Sequence, residues 1–337
     1  MEIVPGIWQF KLPIPAATQS ELGEMVGETN VYLIQGNDGW LLVDAGWDDP
    51  ANIAIIQQGL IQVGISIGDI SQIVATHSHL DHFGLAGKLR RLSGARLALH
   101  REEEPFIELI GSKFAQTLEE SRDWLLRNGT PKKEIPDDSG FYIDLDYPDD
   151  LLSGGERIST GFFDFEVLWT PGHSPGHICL YERSRKLFIS GDHMLEDITP
   201  EIGTSPLQNP NPLADYLNCL ENLKELEVEL VLPAHGSSFS HFRRRTDELI
   251  EHHQNRKDQI LAVLEKGPLT AFDIASKVSW IPQKGGVPWE KLDVMNRRLA
   301  VLETWAHLRL LEDERKTTTF VKGDLIFYCT NSHLNQQ

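Results

Sequence analysis

The densest chemistry in this 337-residue sequence lies in Thr76-His77-Ser78-His79-Leu80-Asp81-His82, where three imidazoles and a carboxylate sit almost side by side. Such groups are costly to bury without partners, and neutral imidazole is a common nitrogen ligand for zinc-like ions. Side chains two apart in an extended segment share a side, so His77 and His79 can bind one cation. Asp81 and His82, at the turn into a helix, can reach a second. The plain alternative is a histidine-rich surface loop.

Four further segments supply matching groups. Thr170-Pro171-Gly172-His173-Ser174-Pro175-Gly176-His177 carries paired Pro-Gly steps that fix a tight turn between two strands. His173, directly after the first step, reads as a ligand; His177, opening the next strand, reads as a hydrogen-bonding support or an ordinary strand histidine. The apolar run 187–190 ends in Gly191-Asp192-His193. The two oxygens of Asp192 can each take a cation, so it reads as a bridge. His193 reads as a packing or supporting residue, with substrate contact as the alternative. Leu230-Val231-Leu232-Pro233-Ala234-His235 again places a histidine just beyond a strand, giving the second cation its last ligand. Asp44, in Val43-Asp44-Ala45-Gly46, suits orienting a metal-bound imidazole, or else capping a turn. Together these groups suit two divalent ions, zinc first, with manganese or iron open. They would generate hydroxide near neutral pH for attack on a carbonyl or phosphorus, with Asp81 or Asp192 receiving the proton. No serine or cysteine nucleophile is required.

The surrounding pattern must hold these residues at strand ends. Residues 31–34 and 40–43 read as a hairpin around Gly36-Asn37-Asp38-Gly39, 51–63 as a helix, and 70–75 as a strand that stops at the first histidine. A helix starts near Asp81, and 96–100 is a further strand. Residues 101–150 break the rhythm with an acidic start, a helical stripe of Ile107, Ile110, Phe114, Leu118 and Leu125, and a turn-rich stretch over 128–140. This reads as an insertion, either a lid over the substrate pocket or a homodimer surface. Strands follow at 163–169, 178–181, 187–190 and 230–232. After about residue 240 the sequence turns helical over 243–264, 270–278 and 289–305, then strand-like at 308–311, 317–322 and 325–329. That order, three helices and then a small β element, is the order of a winged-helix unit. The expected organisation is a catalytic domain over 1–240 and a winged-helix-like domain over 241–337.

Composition narrows the partners. Residues 1–240 hold 16 Lys and Arg against 37 Asp and Glu, and 241–337 hold 15 against 13. So acidic a body repels a phosphate backbone, which disfavours nucleic acid while leaving RNA open. No run reaches the roughly 18 apolar residues of a membrane span, and the N-terminus shows no secretory pattern, so a cytoplasmic location is expected. Cys179, Cys219 and Cys329 lie far apart and read as reduced core thiols.

VDAG, THSHLDH, TPGHSPGH, SGDH and PAHG, in this order, resemble the sequential motifs of the metallo-β-lactamase superfamily over roughly residues 1–240. The resemblance implies an α+β fold, an αββα sandwich with its metals at one edge of two sheets. It also implies that His77, His79 and His173 hold the first metal, that Asp81, His82 and His235 hold the second, and that Asp192 bridges them. The intact 77–82 segment differs from flavo-diiron relatives, which place a Glu where His79 stands. The tail is similar to the winged-helix-like tail of lactamase-β-like endoribonucleases, through Arg298-Leu299-Ala300 and the segment 302–308.

Hydrolysis of a small ester, thioester or lactone is the first functional expectation, a glyoxalase-II-like thioesterase being one form. A metal-dependent endoribonuclease is the main alternative, prompted by the tail and by Arg243-Arg244-Arg245, which otherwise reads as a solvated helix start. A mononuclear iron dioxygenase would leave the second set of ligands without purpose. A DNA-binding regulator would leave both sets so.

Overall fold

The computed structural model describes residues 1–15, 27–135, 145–203, 210–280 and 286–331. Most of the loop 13–28, and the end of the turn-rich stretch over 128–140, lie outside them. The first sheet runs in chain order: β1 (Glu2–Val4), β2 (Ile7–Pro13), β3 (Glu28–Ile34), β4 (Trp40–Val43), β5 (Ile70–Val74), β6 (Arg96–His100) and β7 (Asp150–Leu152). The second contains β8 (Arg157–Ser159), β9 (Asp164–Trp169), β10 (Ile178–Glu182), β11 (Leu187–Gly191) and β12 (Leu230–Pro233), in the order 12-11-10-9-8.

Strand alternation stacks the layers. Tyr32, Ile34, Leu41, Val43 and Val74 face Phe165, Val167, Ile178, Leu180 and Ile189 between the sheets. Val31, Leu33, Leu42 and Ile73 turn the other way onto Ile56 and Leu60 of helix α1 (Pro50–Val63) and onto Phe83 and Leu89, from α2 (Leu80–Phe83) and α3 (Ala86–Ser93). α1 is well delimited: the Asp49 side chain accepts from Ala51 N at 2.7 Å, Pro50 fits the first turn, and Gly64 takes φ 88° beyond the end. On the far side, Cys179, Tyr181, Phe188 and Val231 pack on α6 (Pro212–Leu223) and α7 (Phe242–Leu264). The result is an αββα sandwich.

Both sheets deliver polar residues to one edge. β4, β5 and β6 are parallel, so their C-terminal ends align, and Asp44 and His77 follow two of them closely. β11 and β12 are also parallel and end together before Asp192 and His235. The β9–β10 turn, which carries His173, opens at this same end because β10 is antiparallel to β11.

The C-terminal residues form α7, α8 (Ala271–Ala275), α9 (Val294–Asp313) and the hairpin of β13 (Thr317–Lys322) and β14 (Leu325–Thr330). The strand expected at 308–311 is instead the last turns of α9. Leu308 and Leu311 are fully buried and extend the spacing begun by Val301 and Trp305. One buried cluster runs from the second sheet through α6 and α7 to Trp305 and Tyr328, so these residues share a core with the outer helical layer.

The insertion is docked. Its helices α4 (Glu104–Ile110) and α5 (Phe114–Arg127) do not stand over the fold on a bare apolar stripe. Leu125 enters the C-terminal core, Trp124 meets Trp305 edge-on at 5.7 Å, and the Tyr328 hydroxyl donates to Asn128 Oδ1 at 3.1 Å. Among the described residues no helix is long and apolar enough to cross a membrane. All three cysteines are unpaired thiols; Cys179 and Cys329 are buried, whereas Cys219 is only half-buried, on the side of α6.

Candidate dinuclear metal centre

The 77–82 segment leaves β5 extended and turns into α2, so its side chains fan out as their spacing requires. His77 Nε2 and His79 Nδ1 approach His173 Nε2 to 3.2 and 3.0 Å. Beside this trio, His82 Nε2 lies 3.3 Å from Asp81 Oδ2, and His235 Nε2 lies 3.3 Å from the same oxygen. Asp192 stands between the groups. Its Oδ2 is 3.4 Å from His173 and 3.5 Å from His82, and its Oδ1 is 3.2 Å from His235. All seven residues are thus brought together.

The outer ring nitrogens explain why the inner ones converge as acceptors. His82 Nδ1 donates to Asp44 Oδ2 at 2.9 Å, His173 Nδ1 to Glu201 O at 2.8 Å, and His235 Nδ1 to Glu28 O at 2.8 Å. His77 Nδ1 lies 3.1 Å from Thr76 Oγ1, whose own proton goes to Asp44. Each of these four rings therefore carries a proton on Nδ1 and aims Nε2 inward, the atom that can face a cation. Lone pairs about 3 Å apart repel unless a cation or proton lies between them. Although surrounded by opposite charge, His82 Nε2 and Asp192 Oδ1 are buried and make no hydrogen bond. This donor set of nitrogen and carboxylate oxygen fits two zinc-like divalent ions, one at His77, His79 and His173, the other at Asp81, His82 and His235.

Electrostatics divide the centre likewise. Burial, reinforced by neighbouring imidazoles, holds His77 well below its ordinary range and brings His79 down to about 3. In the other half burial also opposes charge, but carboxylates outweigh it. Asp81, Asp192 and Asp44 raise His82, and Asp192 and Asp81 raise His235 to about 10. Asp81 and Asp192 are correspondingly held well below the carboxylate range, chiefly by the facing His82 and His235, against the effect of burial. This half therefore favours protonated imidazoles facing ionised carboxylates, the charge pattern a cation could replace.

The supporting residues have distinct tasks. Asp44, at φ 62°, accepts from Thr76 N at 2.7 Å and from His82, so it orients a ring and secures the strand end in one carboxylate. His177 Nε2 accepts from Asp192 N at 3.1 Å while its Nδ1 donates to Thr170 Oγ1 at 2.9 Å, fixing the backbone of Asp192. His193 turns away to pack on Tyr216 at 4.8 Å, and its carbonyl accepts from the Tyr216 hydroxyl. Glu103 is a residue that spacing did not reveal. It is fully buried at the start of the insertion and bonded to both ligand loops. Its only trace in the sequence is a run of three glutamates. Arg245, expected on a solvated helix start, is buried and donates to Leu195 O at 2.7 Å and Ile198 O at 2.8 Å.

Comparison with known proteins places this arrangement. A chain of 26% identity over 328 residues, covering 90% of this sequence and 94% of its own, is the probable metallo-hydrolase YqjP of Bacillus subtilis (strain 168). The acyl-coenzyme A thioesterase MBLAC2 of Homo sapiens is 28% identical over 230 residues, 66% of this chain and 77% of that one. A crystal structure of a metallo-beta-lactamase family protein from Thermus thermophilus superposes with a TM-score of 0.81 at 28% identity, covering 98% of this chain and 100% of that one. Residues 25–235 match the family model described as the metallo-beta-lactamase superfamily. The chain belongs to the metallo-beta-lactamase superfamily and is a metal-dependent hydrolase of that kind.

Proposed function

We propose that this enzyme is a dinuclear hydrolase of a small thioester, with oxygen esters and lactones as related substrates. The reading assigns one divalent ion, zinc first, to His77, His79 and His173, a second to Asp81, His82 and His235, and the bridge to Asp192. The observation that carries it is the convergence of imidazole lone pairs and ionised carboxylates from both sheets on one spot. The similarity to an acyl-coenzyme A thioesterase supports the substrate class.

When bound, a pair of divalent cations supplies Lewis acidity that brings the pKa of water towards about 7 and polarises the substrate oxygen. Either Asp81 or Asp192, both held ionised, accepts the proton released as water attacks the acyl carbon. Thr29 Oγ1 donates to Asp81 Oδ2 at 3.2 Å and steadies that carboxylate. Cys179 does not serve as nucleophile: it lies behind the site, bonded to Ser190 O, and burial pushes its thiol up. Of the Arg243-Arg244-Arg245 triplet that prompts the ribonuclease reading, Arg245 is buried and braces the 195–198 loop, while Arg243 and Arg244 are exposed, Arg244 beside Glu248.

The test is a panel of acyl thioesters, lactones, phosphodiesters and single-stranded RNA, assayed with and without chelator. Chelator-sensitive thioester cleavage supports the proposal. Cleavage of RNA with no thioester turnover refutes it.

A further inference from the structure

Glu103 holds a position no ligand motif contains. It is the last residue before α4, is fully buried, and uses both carboxylate oxygens. Oε2 accepts from Ser78 N at 2.9 Å and from the Ser78 hydroxyl. Oε1 accepts from the Ser174 hydroxyl and from Gly176 N, each at 2.6 Å. Ser78 lies between His77 and His79, and Ser174 follows His173, so one side chain joins the two loops that form the three-histidine half of the centre. The approach is close. A Cβ on Gly176 would come within 2.7 Å of Glu103 Cγ and 2.9 Å of its backbone nitrogen, which leaves room there for glycine alone. Phe106, one turn into α4, meets His79 edge-on at 5.8 Å.

Burying a carboxylate is unfavourable unless its oxygens are satisfied, and here four donors satisfy it. The other half of the centre has different anchors: Asp44 for His82 and Glu28 O for His235. We infer that Glu103 is the positioning residue of the three-histidine half-site, setting the separation of His77 and His79 from His173 and hence the affinity of that half for its cation. The inference rests on the dinuclear reading above. It gives the insertion a role in building the centre, since its first helix grows directly from this clamp.

Glutamine at 103 separates this role from simple space filling. Ser78 N and Gly176 N can only donate, and each faces a different oxygen, so the amide NH2 meets a backbone donor in either orientation. The experiment is competitive chelator titration of the metal-free protein with cobalt(II), following its ligand-field spectrum. Wild type should bind two equivalents; failure to do so refutes the dinuclear reading itself. In a His235→Ala background, which leaves the three-histidine half intact, Glu103→Gln should weaken the remaining equivalent about 10–100-fold and alter its spectrum. In a His77→Ala background it should leave the remaining equivalent within about twofold, whereas a loss in affinity through general loosening would fall on both. Ser174→Ala, removing one of the four donors, should weaken the same equivalent by a smaller factor and covers the case in which the glutamine variant fails to fold. Unchanged affinity in the His235→Ala background, or equal weakening in both, overturns the inference.

Discussion

Replacing Asp44 with Asn tests the logic of the second half-site with little disturbance to the fold. Asn has the same shape, and it tolerates the left-handed φ of 62° found here about as well as Asp. The conflict it creates is confined to one hydrogen. Thr76 N can only donate, so the amide oxygen must take the place of Oδ1, 2.7 Å away. The NH2 group then faces His82 Nδ1, at the 2.9 Å now spanned by an N–H···O bond. His82 can relieve this by giving up the Nδ1 proton and keeping the one on Nε2, where Asp81 Oδ2 and Asp192 Oδ2 lie 3.3 and 3.5 Å away. That tautomer withdraws the lone pair a cation would use. Loss of such a support weakens metal binding about 10–100-fold, or about 1.4–2.7 kcal/mol. The Thr76 link to His77 persists, because the amide oxygen still accepts from the Thr76 hydroxyl. Chelator titration should therefore show one equivalent weakened by that factor and the other unchanged. Two unchanged equivalents, or weakening of the three-histidine equivalent, would refute the tautomer argument.

Asp192→Ala removes the carboxylate that faces both halves; turnover should vanish and metal content fall, and full metal with a normal rate would contradict the bridging assignment. Because His235 without metal holds its proton up to about 10, a cation entering its half must displace that proton at neutral pH. Affinity there should rise with pH, by about tenfold per unit for each proton displaced between pH 7 and 9, and calorimetry in buffers of different ionisation enthalpy should detect the release. A pH-independent affinity would contradict the charge pattern. Trp124→Ala should cost about 2 kcal/mol in urea unfolding, since α5 is docked on Trp305; an unchanged midpoint would mean the Trp124–Trp305 contact does not help hold the insertion in place.

The seven converging residues were legible in the sequence because most of them follow an apolar strand in a compact motif, and parallel strands bring such ends to one edge. His77, Asp192 and His235 needed little beyond that rule. Their supports were legible only where the partner is close to a motif, as with Asp44 and His177. Glu103 was not, because nothing in a run of three glutamates tells which one turns inward; the distant Ser78, Ser174 and Gly176 decide it. The stacking of two sheets came through resemblance to a family, since the short strands β1, β7 and β8 carry little pattern of their own. Residues 308–311 misled because two leucines flanking Arg309 imitate strand alternation, while burial on the face of α9 settles them as helix. The insertion showed an apolar stripe but not its partners: Ile107 and Ile110 join the cluster outside the first sheet, and Leu125 joins the C-terminal one.

The most direct test of the dinuclear centre is to count ions and turnover in the same sample. Protein stripped by chelator and reloaded with zinc or manganese should bind two ions per chain by elemental analysis, and thioester hydrolysis should be absent before reloading and return with occupancy. A stripped protein that still hydrolyses the thioester, or full activity with the His77, Asp192 and His235 side chains removed, would contradict the account.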